Sequence, residues 1–287
     1  MLLKVKSLFD KETWTFTHIV FDPTSKDALV IDPVLNYNPA PSTYSHRSIN
    51  EVLEFLKANQ LKPHFSLDTH IHADHVSGSR ELKKRIPGLK TAISENITVV
   101  QKTFGAIYNL KHIATDGSQF DHLLKDGVTL QAGTIQTKLI ATPGHTPACV
   151  SILVEDMIFT GDVLFMPDYG TGRCDFPGGS AEDEYRSIHD CLYELPDSTR
   201  VFVGHDYMPN GRDLKCESTI GEERKSNIVL RASCSKEEFI KRRNELDQMK
   251  SPPRLLYPSV QINMNGGILP EQEDNGVRYL KIPFQKR

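Results

Sequence analysis

Seven residues of this chain could carry metal chemistry, and four of them fall within six positions. The run is His70-Ile71-His72-Ala73-Asp74-His75. Histidine is scarce in the chain, at 11 in 287 residues, so three in six positions beside an aspartate is a pattern chance explains poorly. Imidazole and carboxylate donors together suit zinc or iron better than calcium or magnesium. The other three are His145, Asp162 and His205. Each follows an apolar run and sits beside a glycine, in Gly144-His145, Gly161-Asp162 and Gly204-His205. Glycine lets backbone approach a crowded centre.

The elements that position these groups follow from the pattern. Residues 62–67 read as a short buried strand that feeds the histidine cluster. Residues 76–79 read as a turn, and the mixed run through residue 85 as an amphipathic helix ending near Pro87-Gly88. The cluster is therefore expected on a tight strand-to-helix loop, where several side chains can converge. Upstream, residues 3–9, 13–21 and 28–31 read as an antiparallel meander that ends at Asp32-Pro33. Residues 36–48 read as a polar surface loop, and Ser48 as the cap of a helix over 49–59. A strand over 91–93 and a helix over 95–104 follow.

A second meander occupies residues 128–130, 135–141, 148–154 and 157–160. The interposed Thr142-Pro143-Gly144-His145-Thr146-Pro147 is a loop that no helix or strand interior would tolerate. Residues 166–180 are rich in Gly and Pro and predict a long loop, a feature that is usually functional in a compact domain. Helices are expected over 182–195, 220–229 and 236–250, with a strand over 200–203 that leads into Gly204-His205-Asp206-Tyr207. Residues 250–287 read as an irregular C-terminal extension packed on the rest, with one strand-like run at 278–282. The order is strands, helices, strands, helices, so two apolar-faced sheets should pack face to face with helices outside. No composition shift marks a linker, and one domain over residues 1–287 is expected.

Composition narrows the function. A net charge of −3 implies no nucleic-acid partner. No run of about 18 apolar residues predicts a membrane span. Five widely spaced cysteines argue against a disulfide framework, and read as ordinary buried residues, with Cys149 in mid-strand. Those features, and an N-terminal stretch unlike a signal peptide, predict a cytoplasmic protein.

The loop Thr69–His75, with Gly144-His145-Thr146, Gly161-Asp162 and Gly204-His205, resembles the metallo-β-lactamase superfamily, and the match runs in order along almost the whole chain. The resemblance implies an α/β protein, a four-layer αββα sandwich of two mixed β-sheets with a metal site at one edge. Within it, Thr69–Ser79, Thr142–Cys149, Gly170–Phe176 and His205-Asp206-Tyr207 look most like the persulfide dioxygenases and the bacterial β-lactamase-like hydrolases grouped with them. Glyoxalase II is the second likeness. It shares the metal loop but has cysteine where Thr171 stands, and a basic C-terminal substrate helix for which no counterpart is evident here.

Carried over by position, the dioxygenase likeness implies one Fe(II) held by His70, His145 and Asp162. Two histidines and one carboxylate on one face leave about three positions open, as oxygenation requires. His72, Asp74, His75 and His205 would then surround the ligands and tune them by hydrogen bonds. Arg173 and Tyr207 match glutathione-binding positions: an arginine fork suits a carboxylate, and a phenol gives one directional bond. The implied reaction is oxidation of glutathione persulfide, or a similar small persulfide, by O₂ to sulfite and thiol. The hydrolase likeness implies two Zn(II). There His72 joins the first site, Asp74, His75 and His205 form the second, Asp162 bridges, and the substrate is a glutathione thioester. A third reading, a non-catalytic persulfide or metal sensor, sits poorly with so complete a ligand set. The sequence leaves open a homodimer, and whether residues 36–48 or the C-terminal extension gate the site.

Overall fold

The structure is a computed structural model and describes residues 3–284. Its first sheet is built from β1 (Lys4–Asp10), β2 (Thr15–Phe21) and β3 (Asp27–Ile31), an antiparallel meander. A hairpin of β4 (Val34–Asn38) and β5 (Thr43–Ser45) and helix α1 (Arg47–Ala58) lead to β6 (Lys62–Leu67). Then come β7 (Val76–Ser77), α2 (Ser79–Arg85), β8 (Lys90–Ser94), α3 (Ile97–Ile107) and β9 (His122–Leu124). The sheet order is β1-β2-β3-β6-β8-β9, antiparallel at first and parallel from β3 onward. The parallel half arises because helices cross over between its strands.

The second sheet comprises β10 (Thr129–Ala132), β11 (Ile135–Ala141), β12 (Val150–Val154), β13 (Met157–Phe159), β14 (Arg200–Phe202) and β15 (Glu217–Thr219), in that order. Only the β13–β14 pair is parallel. Helix α4 (Ala181–Tyr185) lies between those two strands, and α5 (Ile220–Ser226), α6 (Lys236–Gln248) and α7 (Leu256–Asn263) follow β15.

Burial explains the layering. In β11, Ile135, Thr137 and Leu139 are buried while Gln136 and Lys138 are exposed, the period of a sheet with one wet face. β2 is buried on both faces. One core fills the space between the sheets, with Val20, Leu29, Ile31 and Leu67 facing Ile135, Ile152, Phe159 and Phe202. A second core joins the outer face of the second sheet to α5 and α6 through Ile158, Val201, Ile220 and Phe239. Two more lie outside the first sheet, under α1, α2, α3 and α7. This is the expected αββα sandwich.

Several local expectations change. Residues 36–48 are not a structureless loop: Asn36 pairs with Ser45 and Asn38 with Thr43. Alternating Asn and Tyr hid the strand period there. Val76 and Ser77 are a short strand on β4 rather than part of a turn and helix. Helix α1 begins at Arg47, and Ser48 lies inside it, with its N–H bonded to the Asn36 side chain. The expected helix over 182–195 has only five α-helical residues and continues as a π turn at Arg186–Cys191 and a 3₁₀ turn at Leu192–Glu194. The region after residue 250 is not wholly irregular. It contains α7, whose residues Pro258 to Asn263 are all buried, and residues 278–282 form no strand. Strands β9 and β15 were not expected; each is three residues long, too short for a period to show. Cys149 precedes β12 rather than lying within it. It and Cys174 are buried, whereas Cys191 is exposed and Cys216 and Cys234 are half-buried.

The central core sets the spacing of the two sheets whose ends carry the site. Phe159 is fully buried there and stacks on Phe202 at 5.0 Å between ring centroids. Phe159→Ala should therefore lower unfolding stability by about 3–5 kcal/mol in urea melts. A loss under about 1 kcal/mol would show that the sheets close over the void.

Candidate metal centre

The histidine loop leaves β6 and is pinned from several sides. Thr69 O accepts from Val150 N at 3.0 Å, tying the loop to the start of β12 on the other sheet. Asp32, at the end of β3, holds it from below. Its carboxylate accepts from Thr69 N at 2.7 Å and Thr69 Oγ1 at 2.8 Å, and lies 3.1 Å from His72 Nε2. The remaining restraint comes from the end of α7. Asn263 Nδ2 donates to the carbonyls of His72 and His75, both at 2.8 Å, and its Oδ1 accepts from Ser77 N at 2.8 Å. Every one of those bonds is buried.

The other groups arrive at the same edge on strand ends. His205 follows β14, where Thr15 bridges it and Phe16 N donates to Gly204 O at 2.8 Å, stitching the two sheets together. Two glycines permit that approach. Gly161 has φ +52°, and a Cβ on Gly204 would lie 2.9 Å from the Gly161 carbonyl oxygen. His145 sits on the loop before β12, with its N–H bonded to the buried Glu184 carboxylate at 2.8 Å.

All seven expected residues come together. Ligand atoms of His70, His145 and Asp162 lie within 4.8 Å of one another, as do those of Asp74, Asp162 and His205, and of His72, Asp74 and His75. Asp162 Oδ2 is 3.8 Å from His70 Nε2 and 3.6 Å from His145 Nε2. Three imidazoles have their outer nitrogen occupied. His70 Nδ1 meets Thr69 Oγ1 at 3.0 Å, His145 Nδ1 meets Arg173 O at 2.6 Å, and His205 Nδ1 meets Trp14 O at 3.1 Å. Each arrangement turns Nε2 toward the shared centre, as outer partners do for metal-bound histidine. His70 Nε2, His72 Nδ1, His75 Nε2 and Asp162 Oδ1 are buried without hydrogen-bond partners. Asp162 Oδ1 does lie 3.1 Å from His205 Nε2, but without hydrogen-bond alignment. Buried orphan donors and acceptors converging on one point are what a metal ion would satisfy. The donor set thus fits a bound cation.

His72 is held by the opposite ring nitrogen, with Nε2 tied outward and Nδ1 left free. Its Nε2 faces Asp32 at 3.1 Å and Asp68 at 4.0 Å, and it joins those two carboxylates in a separate buried cluster. Electrostatics differ from ring to ring. Burial lowers His70 well below the ordinary imidazole range and lowers His145 too, so both present neutral rings with a lone pair. Burial opposes the charge on His72, but Asp32 and Asp68 outweigh it and push it up to about 9. His205, between Asp162 and Asp74, is likewise pushed up to about 10 against the effect of burial. Burial would raise Asp162, yet His205 and His70 hold it well below the carboxylate range.

A cavity of about 240 Å³ opens over Asp162, His145 and Asp74. Trp14, Phe165, Tyr169 and Phe176 supply apolar walls, and Arg173 and Tyr207 both line it. The Tyr207 ring stacks on His205 at 5.6 Å. The Arg173 fork is engaged, with Nε and Nη2 each 2.6 Å from the Asp175 carboxylate and Nη1 2.8 Å from Ser251 O. Residues 36–48 contribute nothing to the walls, whereas Pro253 and Arg254 from beyond α6 do. Sequence reasoning missed Asp32, Glu184 and Asn263. Asp32-Pro33 carried a turn signal that masked its second role. Glu184 and Asn263 carried no local signal, since their partners lie 39 and up to 191 residues away.

The Asn263 contacts make a direct test. Asn263→Asp keeps the shape, removes two N–H donors, and sets a carboxylate against two carbonyls. It should weaken zinc binding by the metal-free protein roughly 10–100-fold in a chelator competition, the range for groups that orient ligands. Asn263→Ala should do the same with a smaller electrostatic penalty. Unchanged zinc affinity in both variants, folded by circular dichroism, would remove Asn263 from the site.

Comparison with known proteins agrees with this geometry. Residues 17–205 match the family model described as the metallo-beta-lactamase superfamily. The chain is 47% identical to glyoxylase B2 of Dictyostelium discoideum over 283 residues, covering 98% of this chain and 97% of that protein. It is 32% identical to the human protein named persulfide dioxygenase ETHE1, mitochondrial, covering 92% and 89%. The crystal structure of ETHE1 from Myxococcus xanthus superposes with a TM-score of 0.74 at 30% identity, over 92% of this chain and all of that one. Sheets, ligand loop and relatives lead to one conclusion: the chain belongs to the metallo-β-lactamase superfamily.

Proposed function

We propose that this protein is a persulfide dioxygenase working at one iron per chain. The observation that carries the reading is the compact face made by His70, His145 and Asp162. Nδ1 of both imidazoles is tied down, and His72 is braced from outside through its Nε2 by Asp32 and Asp68. Two imidazoles and one carboxylate would hold Fe(II) facially. When bound, that ion supplies a redox-active centre with open positions for O₂ and sulfur. The likeness to the ETHE1 proteins supports the same reading.

The proposed substrate is glutathione persulfide or a similar low-molecular-weight persulfide. One persulfide, one O₂ and one water give one thiol, one sulfite and two protons. The chain's own residues bind, orient and shield. Thr69 and the Arg173 carbonyl fix the two imidazole planes. Phe165, Phe176 and Trp14 keep bulk water from the sulfur and favour a single productive approach. Tyr207 offers a hydroxyl to the substrate backbone. Arg173 contributes to substrate binding with the two N–H groups that Asp175 and Ser251 leave free.

A second reading has a specific observation behind it. Asp74, Asp162 and His205 also lie within ligand distance, with His205 Nε2 3.3 Å from Asp74 and 3.1 Å from Asp162. Filled by two zinc ions, the site would suit a thioester hydrolase, in keeping with the identity to glyoxylase B2.

The decisive experiment prepares the protein anaerobically, loads it with Fe(II) or Zn(II), and follows oxygen with glutathione persulfide. O₂ loss matched by sulfite, in the iron form alone and at one iron per chain, is the expected result. His70→Ala and Asp162→Ala should abolish metal retention and turnover together. No uptake in either form, with thioester cleavage by a protein holding two zinc ions, would replace the dioxygenase by the hydrolase.

A further inference from the structure

The cavity over the metal centre has four cations in its walls: Arg173, Arg243, Lys250 and Arg254. Two of them are neutralised within the protein. Arg173 is bound by Asp175, and the buried Arg243 donates to Asp247 at 2.7 Å and 3.0 Å. The other two come from the short segment between α6 and α7, and both are exposed. Lys250 Nζ lies over the Tyr169 ring and touches its hydroxyl at 3.1 Å. Arg254 reaches a backbone carbonyl, that of Glu12, at 3.5 Å. Neither forms an ion pair with a carboxylate among the described residues. Glu12 shares the same wall but is held by Arg47 at 3.1 Å. The rim of the cavity thus carries two uncompensated positive charges on one side.

These charges are presented stiffly. Between them run Ser251, Pro252 and Pro253, and two consecutive prolines fix backbone φ and narrow the conformations available. The segment is anchored at both ends, by the Ser251 carbonyl on Arg173 and by Leu255, buried at the start of α7. Arginine offers a planar fork for a carboxylate, and lysine a point charge. The apolar walls between rim and metal would accept a thiol-bearing side chain.

We propose that Lys250 and Arg254 form the carboxylate-recognition site of this protein and select a thiol carrier bearing two carboxylates, of the glutathione type. The assignment rests on the proposed persulfide reading for the chemistry at sulfur, but not for the binding itself. Each cation takes one carboxylate, and the Tyr169 hydroxyl and ring hold Lys250 toward the cavity until it does. The two residues act on substrate binding and not on the sulfur chemistry, so their loss should appear in KM rather than kcat.

The test titrates metal-loaded protein with S-methylglutathione, whose sulfur cannot ionise, and with its glycinamide form, which lacks one carboxylate. Lys250→Met and Arg254→Met should each weaken S-methylglutathione about tenfold, the loss of one charge-assisted contact, with metal content unchanged. One of the two should cease to distinguish acid from amide, and Arg254→Lys should recover part of the affinity. With persulfide as substrate, KM should rise similarly at constant kcat. Wild-type protein that does not bind S-methylglutathione, or variants that bind it as wild type does, would overturn the site. Tighter binding of S-methyl coenzyme A would overturn the carboxylate assignment in favour of phosphate. Failure of oxygen uptake with intact, Lys250- and Arg254-dependent binding would remove the dioxygenase reading and leave this site standing. Oxygen uptake with KM unchanged in both variants would do the reverse.

Discussion

Four carboxylates and five imidazoles meet at one edge of the sandwich, and neutralising those buried carboxylates is the constraint on which the rest depends. Asp32, Asp68 and Asp162 are buried, and Asp74 is mostly so. Each would be strongly disfavoured as a lone anion in that environment. The fold answers by bringing histidines to them from both sheets. That is why the ends of β2 and β14 are stitched at Thr15–His205, and why Thr69 is bonded across to Val150. The central core of Phe159, Phe202 and their neighbours sets how far apart the sheets stand. Loop and strand ends then have one relative position in which the ligands converge.

The parts that look peripheral serve the same purpose. Helix α7 lies more than 180 residues from the histidine loop in sequence, yet its last residue bonds to two loop carbonyls and a loop N–H. Glu184, on the helix that breaks into a π turn, holds the backbone of His145. Such turns are frequent at functional sites because they aim a residue that a regular helix would misdirect. Arg173 contributes through its backbone as well as its side chain, since its carbonyl orients His145.

Much of this was legible in the sequence, for a physical reason. Ligands on strand ends and tight loops must be named by residue type, so His70 to His75, His145, Asp162 and His205 announce themselves. Strands with one wet face announce themselves by period, as β11 does. What was not legible depends on distant partners. Asn263 is an ordinary helical asparagine until it meets the loop, and Asp32 reads as a turn residue before proline. Residues 36–48 read as a loop because their polar side chains lack an apolar face, while their backbone still pairs. Lys250 and Arg254 lie on either side of a Pro-Pro step in a stretch read as irregular. Nothing local says that they face a cavity.

The two metal readings draw on the same seven residues and differ in how many of them bind metal. A dinuclear hydrolase needs His72 in the first metal's shell. Here Asp32 and Asp68 hold its Nε2 and push its titration up to about 9, while its Nδ1 is buried without a partner. On the inner side Asp162 faces His70 and His145 across 3.8 Å and 3.6 Å, with orphan atoms pointing inward. His205, pushed up to about 10, lies between Asp162 and Asp74 on the other side. The buried orphans of His70, His72, His75 and Asp162 together make this edge a place for bound cations. Two imidazoles and one carboxylate on one face would leave a bound ion free positions, and Asp74 and His205 stand beside Asp162 as donors for a second.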